Sequence, residues 1–453
     1  MAPRYKKAWI VYVYSKHCTY ANTRISPHSL PANMAVPTTN GKLCPPPSPY
    51  SIISKVIQFD NLDQASWWHD LVPLVERVLQ QSNYSTEMQF QYLLLFSQVI
   101  IPSLGPYTSA NRTWRSTLTR SGVPVELSVN YKKGGESTVR ITVEPCSYLS
   151  GMPIDPFNQI PTREMMAKIA KYDFCNFDTE LWDYFSDRLT TSKTERDLIS
   201  ENNIDVGVFK TQLLPGFDFS DDGEISVKGY VFPRVKATAN GIPVDTLVFE
   251  GLRDFEKKND CSAPLALLRE YLQTLSTESN IGFLAWDCVA PSKSRLKIYI
   301  GNADVTMNNI EDLFTLGGRL MDPTTLKGLE LLRQLWKAVR VKEGTRDMVP
   351  YFDDPLQIPS QGQRSPLLMN YEMMPGHPYP IGKFYLPTHG ENNLQVAKGL
   401  SEFFAYVGWT ELAETYIDRL QAMYEKHGVV AAAGVRIRTL TDFMGFFNFV
   451  QAS

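Results

Sequence analysis

The chain has 453 residues, enough for two or three average domains or for one large closed barrel, and 43% of them are hydrophobic. Aromatic residues make up 12%, with 22 Tyr, 23 Phe and 8 Trp, which excludes global disorder and fits a large interior rich in rings. A formal net charge of −3 excludes a general attraction for nucleic acid or an anionic membrane, so any cationic site has to be local.

Residues 1–45, running into the proline cluster CPPPSP, read as a loosely ordered N-terminal extension. Within it AWIVYVY (8–14) follows Arg4, Lys6 and Lys7, but its apolar part is short and interrupted for a secretory signal, and Met34 offers an alternative start. No apolar run approaches the ~20 residues of a bilayer span, so no membrane partner is expected. The six cysteines (18, 44, 146, 175, 261, 288) are scattered without CxxC, which predicts a reducing, cytoplasmic setting and no disulfides.

Residues 46–453 are expected to form a single domain. Two helical patterns occupy 51–101, the second clear in MQFQYLLLFSQVI. TWRSTLTR, VPVELSVNY and STVRITVEP read as strands over 113–145, separated by the turn-forming SG and KKGG. Helices follow at 162–205, strands at 206–237 broken by DDG, a helix at 263–277 and strands at 281–300. Helices at 309–340, strands at 366–387, helices at 394–425 and a terminal segment of mixed signals complete the chain. This order predicts an α+β fold of antiparallel hairpins joined through helices. A closed antiparallel β-barrel of about ten strands ringed by α-helices is the economical arrangement, because closure removes sheet edges.

Several strands place a cation two residues from a tyrosine: Lys228 and Tyr230 in VKGYVFP, Lys297 and Tyr299 in SRLKIYI after Arg295, and Lys383 and Tyr385 in GKFYLP. Arg140 in TVRITVEP adds a cation without the tyrosine. Strand residues i, i+2 and i+4 share a face, so Arg295, Lys297 and Tyr299 point opposite to Leu296, Ile298 and Ile300. One such strand has the pattern of a solvated sheet face. Four together suit a cavity that holds a multiply charged anion beside rings whose π-faces stabilise a cation, and a prenyl diphosphate uses both properties. Glu126 in VPVELSVNY shares its face with Ser128 and Asn130. It reads either as a surface glutamate or as a carboxylate that accepts a hydrogen bond from an indole N–H.

No DDxxD, HExxH, GxSxG, GxGxxG or GxxxxGK[ST] pattern is present, and the six histidines have no metal-ligand spacing. No metal or other cofactor is expected, and a bound diphosphate has to be neutralised by Lys and Arg. Gly317 and Gly318 read as a helix end.

The motifs IPSLGPY, WRSTLTRSGVPVELSVNY, VRITVEP, DPFN, VKGYVFPRVKA, SRLKIYI, DLFTLGGRL, MNYEMMPG and KFYLPTHGEN occur in an order that resembles the fungal indole prenyltransferases of the dimethylallyltryptophan synthase family, over about residues 55–425. The resemblance implies the αββα prenyltransferase barrel. It implies that Glu126 holds the indole nitrogen, that Arg140, Lys228, Arg295, Lys297, Lys383 and Arg438 clamp diphosphate, and that Tyr230, Tyr299 and Tyr385 shield an allyl cation. Thr117, Leu118, Leu214, Gly282, Leu368 and Phe447 fall in the implied indole and prenyl pocket. The implied partners are dimethylallyl diphosphate and an indole, with the protein a monomer or homodimer. The implied chemistry is electrophilic aromatic substitution: diphosphate departs, the indole attacks the allyl cation, and a base removes the ring proton.

Departures from the family pattern narrow the acceptor. Members that act on free tryptophan carry an arginine where this chain has Gly282 and a lysine near Leu214, so a free carboxylate here lacks its partners. A neutral tryptophan-containing cyclic dipeptide fits better, and MNYEMMPG and KFYLP resemble the cyclic-dipeptide branch. Phe443 and Phe447 stand where the family has tyrosines. The alternatives are a transferase for free tryptophan or another indole or phenol, and a barrel that binds an isoprenoid or alkaloid without turnover.

Overall fold

The computed structural model describes residues 47–425, apart from 108–112, 120–121, 132–136, 173, 175, 276–278 and 349–363. The expected extension at 1–45 and the terminal segment with Arg438, Phe443 and Phe447 lie outside the described residues.

Three helices, α1 (Pro49–Val56), α2 (Leu62–Gln81) and α3 (Thr86–Leu95), open the fold. Their first turns are capped by Ser48, Asn61 and Ser85, whose side chains accept backbone N–H groups that the helix leaves unpaired. A π-helical turn (Phe96–Ile100) and a 3-10 turn (Ile101–Ser103) end this segment. Thr113–Thr119, expected as a strand, forms none. Its Thr117 N donates to the carboxylate of Glu144, which also takes the side chains of Trp114 (Nε1) and Ser116 (Oγ).

Four hairpins alternate with helices. β1 (Val125–Tyr131) and β2 (Ser137–Val143) lead to α4 (Ile160–Ile169), α5 (Glu180–Leu189) and α6 (Lys193–Glu201). β3 (Leu213–Phe219) and β4 (Ile225–Val231) meet at the expected DDG turn, where Gly223 takes φ +92°. The strand reading to 237 stops at Val231, because α7 (Arg234–Asn240) begins there and α8 (Val244–Asn259) follows, neither of them expected. In α8, Leu247, Val248, Gly251, Leu252 and Phe255 are buried along one helical face. After α9 (Ser262–Leu272) come β5 (Ser279–Asp287) and β6 (Leu296–Asn302). The short β7 (Asp304–Val305) and β8 (Gly344–Thr345) pair across α10 (Met307–Thr315) and α11 (Pro323–Val339). Leu316, Gly317 and Gly318 end α10 with positive φ, as a helix terminus does. β9 (Leu367–Met373), β10 (Ile381–Tyr385), α12 (Asn393–Tyr406) and α13 (Thr410–Glu425) complete the described chain.

The main sheet has the order β1-β2-β3-β4-β5-β6-β9-β10, with every neighbouring pair antiparallel. Among the described residues it has eight strands where about ten are expected on closure grounds, and β1 and β10 are its two edges, not paired with each other. The sheet nonetheless curls. Eight flat strands would place the edges about 34 Å apart, yet Glu126 of β1 and Tyr385 of β10 line one cavity.

Each strand separates two cores. Ile141, Phe217, Val227, Leu284, Ile298, Met369 and Phe384 join the core beneath the helices, which runs from Ile53 to Phe404. The alternate residues Leu214, Phe283, Ala285, Tyr299 and Tyr385 form a second cluster inside the curl. Gly229 is required where β4 meets β5, since a Cβ there would lie 2.2 Å from the Trp286 ring.

Candidate active site

The cavity inside the curl has a volume of about 690 Å³. Of the sequence-predicted residues, Glu126, Arg140, Lys228, Lys297, Tyr230, Tyr299, Tyr385, Thr117, Leu118, Leu214, Gly282 and Leu368 line it. Arg295 and Lys383 do not line it. They stand at its charged end, engaged by carboxylates.

Those carboxylates are what sequence reasoning missed. Asp218 of β3 lies opposite Arg140 of β2, with Arg140 Nε 3.2 Å from Asp218 Oδ1, and Lys228 Nζ donates to Asp218 Oδ2. Asp287 of β5 takes Arg295 in a two-pronged pair, Nε to Oδ2 at 2.6 Å and NH2 to Oδ1 at 3.1 Å. Glu372 of β9 gathers three cations on Oε2: Lys383 Nζ at 2.6 Å, Arg295 NH1 at 3.6 Å and Lys297 Nζ at 3.8 Å. Five cations therefore surround three carboxylates, and with every lysine protonated the group carries two net positive charges. The usable signal was parity. Asp218 lies two residues after Gly216, Asp287 two after Ala285 and Glu372 four after Leu368, so each shares the inner face.

Burial and charge set the protonation of this cluster. Burial would raise the Glu372 carboxyl, but Lys383, Arg295 and Lys297 outweigh it and hold the group at about 2. Asp218 and Asp287 are likewise held below the ordinary carboxylate range by their cations in spite of burial. Desolvation dominates for the lysines, which are pushed down to about 7 at Lys228 and at Lys383 even with Asp218 and Glu372 beside them.

Next to the charged cluster the rings form a continuous wall. Phe283 stacks on Tyr299 with centroids 4.0 Å apart and on Phe232 at 4.9 Å, and Tyr299 meets Tyr385 at 5.6 Å. Tyr230 leans over Gly216, where an added Cβ would lie 2.9 Å from its ring. Asn370, buried between Tyr299 and Lys383 in the register, donates to the Tyr385 hydroxyl, which donates to the Tyr299 hydroxyl at 3.1 Å. Phe232, Phe283 and Asn370 were not predicted.

Leu118, Leu214 and Leu368 pack with these rings, and Gly282 lines the same cavity. Glu126, also on its wall, is 3% exposed, its Oε1 has no hydrogen-bond partner, and burial alone raises its carboxyl well above the usual value. An orphaned buried carboxyl on a cavity wall suits an N–H donor from a ligand. Neither Leu214 nor Gly282 brings a cation to the cavity, and Arg364, which also lines it, lies 3.2 Å from Glu391.

Among the described residues no group of three or more His, Cys, Asp or Glu is placed to hold a metal ion, and no helix is long and apolar enough to cross a membrane. Cys146, Cys261 and Cys288 are free thiols.

Residues 63–419 match the tryptophan dimethylallyltransferase family. The chain is 39% identical over 382 residues to deoxybrevianamide E synthase notF of Aspergillus sp. (strain MF297-2), covering 83% of this chain and 84% of that protein. It is 38% identical over 375 residues to prenyltransferase malE of Malbranchea aurantiaca, with coverage of 83% and 84%. Its fold is similar to the crystal structure of NotF in complex with brevianamide F and DMSPP, with a TM-score of 0.73 and 36% identity over 84% of this chain and 91% of that one.

Proposed function

The chain belongs to the tryptophan dimethylallyltransferase family, and from that premise we propose that it moves a dimethylallyl group from dimethylallyl diphosphate to the indole ring of a tryptophan-containing cyclic dipeptide. The observation that carries this reading is the polarity of one cavity. Its lining combines net-cationic side chains, a wall of rings continuous with Leu118, Leu214 and Leu368, and the buried Glu126 carboxyl, whose Oε1 has no partner. The names of the relative and of the solved complex, a deoxybrevianamide E synthase and a protein bound to brevianamide F and DMSPP, support it.

In this reading Arg140, Lys228, Arg295, Lys297 and Lys383 take the diphosphate, exchanging contacts with Asp218, Asp287 and Glu372 for contacts with phosphate oxygens. As the C–O bond breaks, its electron pair leaves with diphosphate, where the same cations stabilise the growing charge. The allyl cation forms against Tyr230, Tyr299 and Tyr385, whose π-faces stabilise it and whose rings keep water out. Glu126 accepts the indole N–H and favours the positive charge that the ring gains on attack. Loss of the ring proton to a base restores aromaticity. The cations do the electrostatic work of a metal, so turnover continues in EDTA.

The proposal extends to the whole fold. Residues 46–453 form one domain, and about two further strands close the barrel between β1 and β10.

The test is product analysis by mass spectrometry with EDTA present, using dimethylallyl diphosphate and either cyclo-L-Trp-L-Pro, another tryptophan diketopiperazine or free L-tryptophan. A gain of one C5H8 unit on a diketopiperazine supports the reading. Product from tryptophan alone overturns the acceptor assignment, and no product from any acceptor leaves a binding-only barrel.

A further inference from the structure

Glu144 follows β2 and is fully buried, yet it lies outside the cavity lining and outside the chemistry described above. Four groups converge on its carboxylate: Trp114 Nε1 at 3.1 Å and Thr211 Oγ1 at 2.7 Å on Oε1, and Ser116 Oγ and, at 3.2 Å, Thr117 N on Oε2. Burial raises the Glu144 carboxyl, and the four hydrogen bonds to its ionised form oppose that rise. Two of the four are N–H groups that donate obligatorily, and in the ionised form the carboxylate has no proton of its own to give, so the two hydroxyls donate as well. Thr211 has then spent its proton on Glu144. The 2.5 Å contact between Thr117 Oγ1 and Thr211 Oγ1 consequently has Thr117 as donor. Ser116 is occupied too, since it also accepts from Leu118 N at 3.1 Å.

Thr117, Thr211, Leu118 and Glu126 all line the cavity. With its proton directed to Thr211, Thr117 Oγ1 has lone pairs but no hydrogen to offer a ligand. We propose that Glu144 is a positioning residue that fixes the proton order Thr117 to Thr211 to Glu144, so that Thr117 meets the acceptor substrate as a hydrogen-bond acceptor for a lactam N–H. This rests on the cyclic-dipeptide reading and deepens it. The cavity wall then shows two acceptors, a Glu126 carboxyl oxygen and Thr117, to a substrate whose polar hydrogens are an indole N–H and a lactam N–H. A carboxylate-bearing acceptor meets only lone pairs at Thr117 and is disfavoured there.

The experiment measures KM and kcat for cyclo-L-Trp-L-Pro and for its derivative methylated on the lactam nitrogen of tryptophan, with wild type, Thr117→Val, Thr117→Ser and Glu144→Gln, and thermal unfolding of each. The expected KM penalty of Thr117→Val is about tenfold larger for the N–H acceptor than for the N-methyl one, equal to about 1.4 kcal/mol. Thr117→Ser restores the wild-type ratio. Glu144→Gln brings an amide donor into a ring of donors, breaks the order and gives a smaller acceptor-dependent penalty of the same sign, since Thr117 keeps its lone pairs. If Thr117→Val does not fold, Thr211→Val frees the Thr117 proton and shifts the ratio in the same direction by the same smaller amount. An equal penalty for both acceptors in the folded variants, or a serine variant that behaves like valine, overturns the inference alone. Wild type inert with both acceptors overturns the functional reading together with it.

Discussion

Lys383 Nζ stands 2.6 Å from Glu372 Oε2 across the β9–β10 hairpin, and the two side chains are 2% and 4% exposed. The cluster therefore carries its own counter-charge: in the proposed mechanism this carboxylate holds the cations until a diphosphate takes its place. Removing it takes the nearest counter-charge from Lys383 and weakens that of Lys297 and Arg295 in a buried place, which is costlier than the intact pair is stabilising. Glu372→Gln is expected to lower unfolding stability by about 3 kcal/mol and to be stabilised by added inorganic diphosphate more than wild type is. Thermal unfolding with and without diphosphate checks both, and equal ligand-induced shifts in the two proteins refute the counter-charge role.

The same carboxylate sets an acid limit. Its folded-state value of about 2 lies below the ordinary 4.5, so the folded protein holds fewer protons than the unfolded chain between these values. The stabilisation is fully present above about pH 4.5 and is lost as pH falls toward 2, by on the order of 3 kcal/mol. Denaturant titrations between pH 5 and pH 2.5 should show this loss in wild type and a shallower one in Glu372→Gln.

Lys228 and Lys383 give a limit on the other side. Both are protonated below about pH 7 and lose the proton above it in the ligand-free protein. Diphosphate binding above that point has to bring protons with it, so KM for dimethylallyl diphosphate should rise with pH, by up to tenfold per unit for each lysine that must be recharged. Steady-state kinetics from pH 6.5 to 9 test this. Lys228→Met should flatten the rise, and a KM constant over that window would show that both lysines stay charged.

Glu126→Gln keeps the shape of the side chain and removes its ability to become an anion as the indole gains charge. The expected loss in kcat is about 10²–10³-fold, with the KM for dimethylallyl diphosphate little changed because burial, and no cation of the cluster, sets the state of the Glu126 carboxyl. Unchanged turnover would remove Glu126 from the chemistry.

Gly282 has space around it: an added Cβ would lie 3.8 Å from Tyr299 O, an ordinary van der Waals contact, and the position lines the cavity. Gly282→Arg should fold and place a cation in the cavity. Competition between equimolar L-tryptophan and cyclo-L-Trp-L-Pro, read by mass spectrometry, should shift toward tryptophan by about tenfold, the worth of one charge-assisted contact. An unshifted ratio would show that the carboxylate argument from this position is wrong.

The strand faces were legible because they depend on a two-residue period contained within a few neighbours: Lys297 and Tyr299 turn inward while Leu296, Ile298 and Ile300 pack beneath the helices. The hairpin-and-helix alternation was legible for the same local reason. What escaped depends on partners distant in sequence. Glu372 is an ordinary glutamate in MNYEMMPG until the sheet brings Lys297 from β6 and Lys383 from β10 to it. Thr113–Thr119 has a strand's composition, but Glu144, just past β2, holds its Trp114 indole, Ser116 hydroxyl and Thr117 N–H. Helix α7 starts at Arg234, so soon after β4 ends at Val231 that the apolar patterns of strand and helix merged at Val231–Val235.

The two cores on either side of the sheet also say how this protein tolerates change. Because alternate residues serve different masters, an exchange at Leu214, Gly282 or Leu368 alters what the cavity accepts without entering the layer that holds helices to sheet. Insertion of one residue into β6 does the opposite: it would turn Lys297 and Tyr299 toward the helices and Ile298 and Ile300 into the cavity. Point substitution is thus a cheap route to a new acceptor, while insertions and deletions are confined to the segments between strands.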